Sequence, residues 1–169
     1  MADTLLSDIQ TLAEDNDSQI DMGRAFNKEK VSFAGYTAAG AIADDSVVVL
    51  TEIPVDAFIS SIRFWSDDLG STGLFNLGFY PGSKKASDLV VADAVDEDAL
   101  ATAIDVNAAA VADSELRFEA ANISTVGKKA WELAGLSARP AYGFFYLALT
   151  ASEATTAAGD MAALVRFSE

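Results

Sequence analysis

VVVLTEIPVDAFISSIRFWSDDLGSTGLFNLGFY, residues Val47 to Tyr80, holds three apolar runs parted by turn chemistry. Val47 to Ile53 is rich in β-branched residues, and Pro54 ends the run because it lacks a backbone N–H and restricts Ile53 to extended geometry. From Ala57 to Ser66, strict alternation puts Phe58, Ser60, Ile62 and Phe64 on one face, read as core. Ile59, Ser61, Arg63 and Trp65 take the other. Ser66, Asp67, Asp68, Gly70, Ser71 and Gly73 then surround Leu69, a composition that reverses a chain and reads as a hairpin loop. In the third run Phe75, Leu77 and Phe79 alternate with Leu74, Asn76, Gly78 and Tyr80, and Pro81-Gly82 closes it. A helix here would be apolar all round and weakened by its glycines, so the stretch predicts an antiparallel meander.

The same rhythm continues on both sides. Glu29 to Thr37 alternates as a strand, as do Leu100 to Val106 and Glu115 to Ala120; Leu89-Val90-Val91 is a short apolar run. Tyr142 to Thr150, with Phe145, Leu147 and Leu149 on one face, and Met161 to Ser168, with Ala163, Val165 and Phe167, predict a final hairpin linked by Ala151 to Gly159. Ile123 to Leu136 breaks the alternation. One or two helical turns are expected within 126–134, with Ser124 or Thr125 as cap, Gly135 as stop, and Trp131, Leu133 and Leu136 against the sheet. The fold class is therefore all-β, an antiparallel β-sandwich or jelly roll with many short strands.

Residues 1–30 differ from the 31–169 sandwich domain. Leu5, Leu6, Ile9 and Leu12 recur at helical spacing after a Thr4 or Asp3 cap, and a polar linker begins at Glu14. A helix this short is marginal in water and needs a surface for its apolar stripe. That surface is either its own domain or a partner, which makes these four residues the candidate partner-binding set.

Among 169 residues there is no Cys and no His. Disulfides, thiolate ligands, His-dependent nucleophilic catalysis and zinc sites of the usual composition are thereby excluded, and the inventory argues against an enzyme. The formal charge is −15. Such an anionic surface repels phosphate backbones and anionic lipid, so neither nucleic acid nor membrane is an expected partner. No run reaches transmembrane length, and MADTLLSDIQ lacks the features of a signal peptide, so synthesis in a cytosol is expected.

Three clusters invite chemistry. Asp93, Asp96, Glu97 and Asp98 are dense in oxygens but lack the ligand alternation and central Gly of a calcium loop, so a solvated turn is the better reading and no metal site is assigned. Asp67 and Asp68 are adjacent and point apart in extended chain, which suits turn formation and not paired acid–base work. Trp65, Tyr80, Phe144 and Tyr146 fall on the second faces of their strands, where an N-terminal helix or a subunit contact is expected to cover them. Otherwise they would form an aromatic patch able to bind carbohydrate. No cofactor motif occurs; Gly70 and Gly73 lack the helix and Lys of a phosphate loop.

From Val31 onward, the Val/Leu-rich strand, EIPVDAFISSIRFWSDDLGSTGLFNLGFYPG, the acidic DEDALATAIDV and KKAWELAGLSARP before the last two strands resemble structural proteins of tailed bacteriophages. More narrowly, the chain is similar to their capsid decoration (cement) proteins, marine ones included. The resemblance implies a sandwich that assembles as a small symmetric oligomer, a homotrimer or alternatively a homodimer. It also implies binding to the major capsid protein on the outside of a mature head, in the virion, with no catalytic residues; the alternative is a tail or head-fibre module that recognises host carbohydrate through aromatics such as Trp65 and Tyr80.

Overall fold

The computed structural model describes residues 29–107, 110–116, 125 and 127–168. Its strands are β1 (Lys30–Ala38), β2 (Val47–Pro54), β3 (Phe58–Ser66), β4 (Leu74–Pro81), β5 (Asp96–Asp105), β6 (Val111–Glu115), β7 (Phe144–Glu153) and β8 (Gly159–Ser168). A four-residue helix, α1 (Ala130–Leu133), and two 3₁₀ turns at Ala86–Asp88 and Val91–Asp93 are the helical pieces of the described residues.

The strands form two four-stranded antiparallel sheets ordered β1-β8-β3-β6 and β2-β7-β4-β5. The pairs β1–β8, β2–β7, β3–β6 and β4–β5 are nested. They amount to one long hairpin, with its tip at β4–β5, folded over so that β3 meets β8 and β4 meets β7. This is jelly-roll topology, as the all-β expectation allowed.

Two local predictions are corrected. The Val47–Tyr80 stretch is not a meander, because β3 lies in the opposite sheet from β2 and β4, and β7 is inserted between those two. Likewise β7 and β8 are not a hairpin but sit in different sheets. Turn residues encode a reversal of direction without specifying which sheet the next strand joins. At the β2–β3 corner the apolar Val55 and Ala57 are fully buried, so the chain crosses the sandwich through its core edge.

The facing layers supply the core. Phe75, Leu77 and Phe79 from β4, Phe145, Leu147 and Leu149 from β7, and Ala163, Val165 and Phe167 from β8 are buried as alternation predicted. Phe79 and Phe145 rings pack 5.3 Å apart. β3 departs from the prediction: Ile59 is buried while Phe58 and Ser60 are exposed, and beyond them Ile62 and Phe64 are buried. The register against β8 shifts between Ile59 and Ser61. An extra residue there reverses the parity of alternation, which a period-two reading cannot register.

The sixth strand also lies earlier than predicted, at Val111–Glu115, with Leu116 buried beyond it. Residues 117–120 and 1–28 lie outside the described residues, and with them the second half of that predicted strand and the predicted N-terminal helix. The run Leu89 to Val91 leads into a 3₁₀ turn. The helix near 126–134 is present, capped at Lys129 and not at Ser124 or Thr125. The Lys129 N–H donates to Glu132 Oε2 at 2.8 Å, and the first helical N–H groups of Ala130 and Trp131 donate to Ala57 O and Val55 O. These bonds satisfy donors that a helix start leaves open and pin α1 to the β2–β3 corner. Trp131, Leu133 and Leu136 pack on the core as expected, and Gly135 ends the turn at φ +68°.

Candidate functional site

The outer faces of the two sheets are built differently. On β2-β7-β4-β5, the second-face aromatics are covered by the chain itself. Tyr80, Leu89, Tyr146 and Ala148 form a buried cluster, with Val47, Val49, Ala94 and Phe144 packed against it. The connection from β4 to β5 carries Leu89 and Ala94 over the strands, so the cover is this loop, where a helix or subunit was expected. Tyr80 and Thr150 hydroxyls hydrogen-bond at 2.7 Å inside the cluster, and the Phe144 and Tyr146 rings meet edge to face at 5.2 Å. Burial pushes the Tyr80 phenol above its usual pKa. Asp93 ties the loop down by accepting from Lys84 Nζ and from the Val90 N–H. The Lys84 ammonium, then the Val90 amide, hold its carboxyl below the usual range.

The outer face of β1-β8-β3-β6 has no such cover among the described residues. Strand register assembles it in three rows: Phe33, Leu164, Arg63 and Glu115; Val31, Arg166 and Ser61; Gly35, Ala162 and Trp65. Directly opposed residues share a face, and Met161, Ala163, Val165 and Phe167 point inward, so these rows point outward. Val31 and Phe33 remain 57% and 69% exposed. Both sit on β1, an edge strand paired only with β8 among the described residues. The β1–β8 register runs unshifted from Lys30 to Ala38, whereas every other strand pair contains an irregularity. Residues 31–38 also carry no charge and no Pro. A straight, apolar, uncharged edge lacks the devices that discourage association.

Beside the apolar rows lies a polar depression of about 360 Å³ lined by Glu29, Ser60, Ser61, Arg63, Glu115 and Arg166. Arg63 Nη2 meets Asp113 Oδ2 at 2.5 Å, Ser61 Oγ donates to Glu115 Oε2 at 2.5 Å, and the Ile62 N–H donates to Glu115 Oε1 at 2.8 Å. Arg166 stands 3.8 Å from Glu29. An open depression lined by charged residues and serines is unlike the apolar clefts that take small ligands, and these exposed ion pairs add little stability. The arrangement suits contact with another polypeptide: an apolar strip bordered by paired arginines and carboxylates.

The acidic clusters are turns only in part: Asp93 ends a 3₁₀ turn, but Asp96, Glu97 and Asp98 lie in β5, where a solvated turn was expected. The Gly70 N–H donates to Asp68 Oδ1, which holds a local reversal, whereas the Asp160 N–H donates to Asp67 Oδ2 and ties the loop after β3 to the start of β8. Asp93 is paired as described. The Asp96 carboxyl is pushed above its usual range by burial and by a hydrogen bond with Asp98. Among the described residues no group of three or more His, Cys, Asp or Glu could hold a metal ion. At the far end of the sandwich, Asp56 accepts from Arg139 and Lys129, which lower its pKa in that order. Leu5, Leu6, Ile9 and Leu12 lie outside the described residues. Sequence reading did not single out Val31 and Phe33: alternation marks them as strand residues, and only the strand order shows that the strand is an edge.

No protein-family model and no curated protein matches the chain. Among solved structures, a chain from the cyanophage Pam1 capsid asymmetric unit shares its fold, with a TM-score of 0.54 at 15% identity. The likeness covers 90% of this chain and 96% of that one.

Proposed function

We propose that the protein is a virion structural protein that decorates the outer surface of a phage head and cements contacts between major capsid proteins. The observation that carries this reading is the end-to-end likeness of fold to a chain of a cyanophage capsid unit. The charge of −15 supports the outside of a shell, away from packaged DNA. The open outer face of β1-β8-β3-β6 supplies a surface for a coat subunit or for a second copy in a homotrimer or homodimer. The stripe Leu5, Leu6, Ile9 and Leu12 is a tethered contact for an adjacent capsomer, adding affinity by effective concentration.

The test is addition of the purified protein to expanded heads that lack it. Saturable binding to expanded heads but not to unexpanded ones is expected, together with greater resistance of the heads to heat and chaotrope. Absence of binding and an unchanged melting profile would end this reading. Of the four aromatics that could form a carbohydrate-binding patch, Tyr80 and Tyr146 are buried with Phe144 packed against them, and Trp65 stands on the other sheet, so they share no common surface.

A further inference from the structure

The open sheet face and the N-terminal stripe have complementary properties. The face presents Val31, Phe33, Leu164, Ala162 and Trp65 in adjoining rows, with Arg63 and Arg166 between them. The described structure begins at Glu29, immediately before β1, so the chain that precedes it enters the fold beside Val31 and Phe33. That segment contains one apolar stripe at helical spacing, Leu5, Leu6, Ile9 and Leu12. It also carries Asp3, Asp8, Glu14, Asp15, Asp17 and Asp21 against Arg24 and Lys28. The segment therefore adjoins an apolar face on which Arg63 and Arg166 are already paired with Asp113 and Glu29, so the apolar rows and the short tether, and not charge, select this occupant.

We propose that segment 4–12 of this chain folds as a helix and docks in cis across the outer face of β1-β8-β3-β6 in the free protein, its stripe against Phe33 and Leu164. Dimensions allow it. Nine helical residues extend about 13 Å, and four strands spaced at about 4.8 Å offer a face of about 14 Å. Residues 13–29 span at most about 60 Å when extended, ample for the return, and such a tether supplies a millimolar effective concentration. On a helix Asp8 falls on the rim of the stripe, clear of the apolar rows that the leucines meet. Docking covers the exposed apolar side chains of Val31 and Phe33, and gives the stripe the surface that a short helix requires. This inference stands without the capsid reading, since it concerns the isolated chain; in assembly the same stripe would be released to a neighbour.

The absence of Cys makes Ser7→Cys a unique attachment point, on the helix side opposite the stripe. A nitroxide there should broaden the NMR resonances of Phe33, Ala162 and Leu164 in dilute protein and leave those of Leu89 and Ala148 on the other sheet sharp. Adding Leu5→Ser, Leu6→Ser, Ile9→Ser and Leu12→Ser should abolish the broadening, and Phe33→Ser, a change at an exposed position that preserves the fold, should weaken it. A mixture of isotope-labelled protein without nitroxide and unlabelled protein with it should show none. Sharp resonances throughout, broadening on the other sheet, persistence in the serine variant, or broadening in the mixture would each overturn docking in cis. Head binding, measured separately, would be unaffected by that failure.

Discussion

Gly78 lies where β5 crosses closest to β4, and its replacement by alanine tests the tip of the jelly roll. A Cβ at this position would fall 2.1 Å from Asp96 O, 2.4 Å from Glu97 C and 2.5 Å from Glu97 O. Carbon–oxygen contacts between strands normally lie at about 3.3–3.6 Å, so the start of β5 must retreat by about 1 Å. The obstacle is backbone, which cannot rotate aside as a side chain would. The β4–β5 register already shifts between Leu77 and Phe79, and the Val95 N–H donates to Phe79 O at 2.9 Å just beside the site. Overpacking costs about 1–3 kcal/mol and loss of one backbone hydrogen bond about 1 kcal/mol, giving roughly 2–4 kcal/mol. For a domain of this size that lowers Tm by roughly 5–15 °C. Gly35→Ala is the internal control: its nearest neighbour would be a Phe33 ring atom 4.0 Å away. Urea titration with an unchanged m-value should show a large loss for Gly78→Ala and little change or a gain for Gly35→Ala. Equal, near-neutral effects would refute the close crossing of β5 over β4.

Tyr80→Phe should cost about 1–3 kcal/mol, because the Thr150 hydroxyl, 2% exposed, loses its partner inside the capped cluster. Thr150→Val in the same background should recover most of that loss in a double-mutant cycle read by thermal melting, and additive losses would contradict the pairing. Stability should also respond to pH in two opposing ways. Asp56 and Asp93 have lowered folded-state pKa values, so their stabilisation is present above the unfolded value of about 3.9 and is lost as pH falls through their folded values. Asp96 has a raised value, so its contribution is present below about pH 3.9 and is lost as pH rises through the folded value. Asp96→Asn should therefore be more stable than the parent at pH 7, with the difference vanishing below about pH 4. A difference of the same size at both pH values would show that ionisation of Asp96 is not the cause.

The order of apolar and turn residues was enough to determine that the chain is all-β and which side chains of β4, β7 and β8 face inward. Alternation is a local property, dictated by the two-residue repeat of extended backbone. The same locality explains the error on β3, where one inserted residue at Ile59–Ser61 exchanges the faces and leaves no compositional trace. It explains the meander too, since Asp68 and Gly70 build a reversal that serves a hairpin or a crossing between sheets equally well. Tertiary structure alone decided that β7 separates β2 from β4, that the loop bearing Leu89 covers one aromatic face, and that β1 is an edge among the described residues, displaying Val31 and Phe33. Those outcomes depend on hydrogen bonds and contacts between residues far apart in the chain, such as the Tyr80–Thr150 pair. Their energy is shared between partners, so neither stretch of sequence encodes it alone.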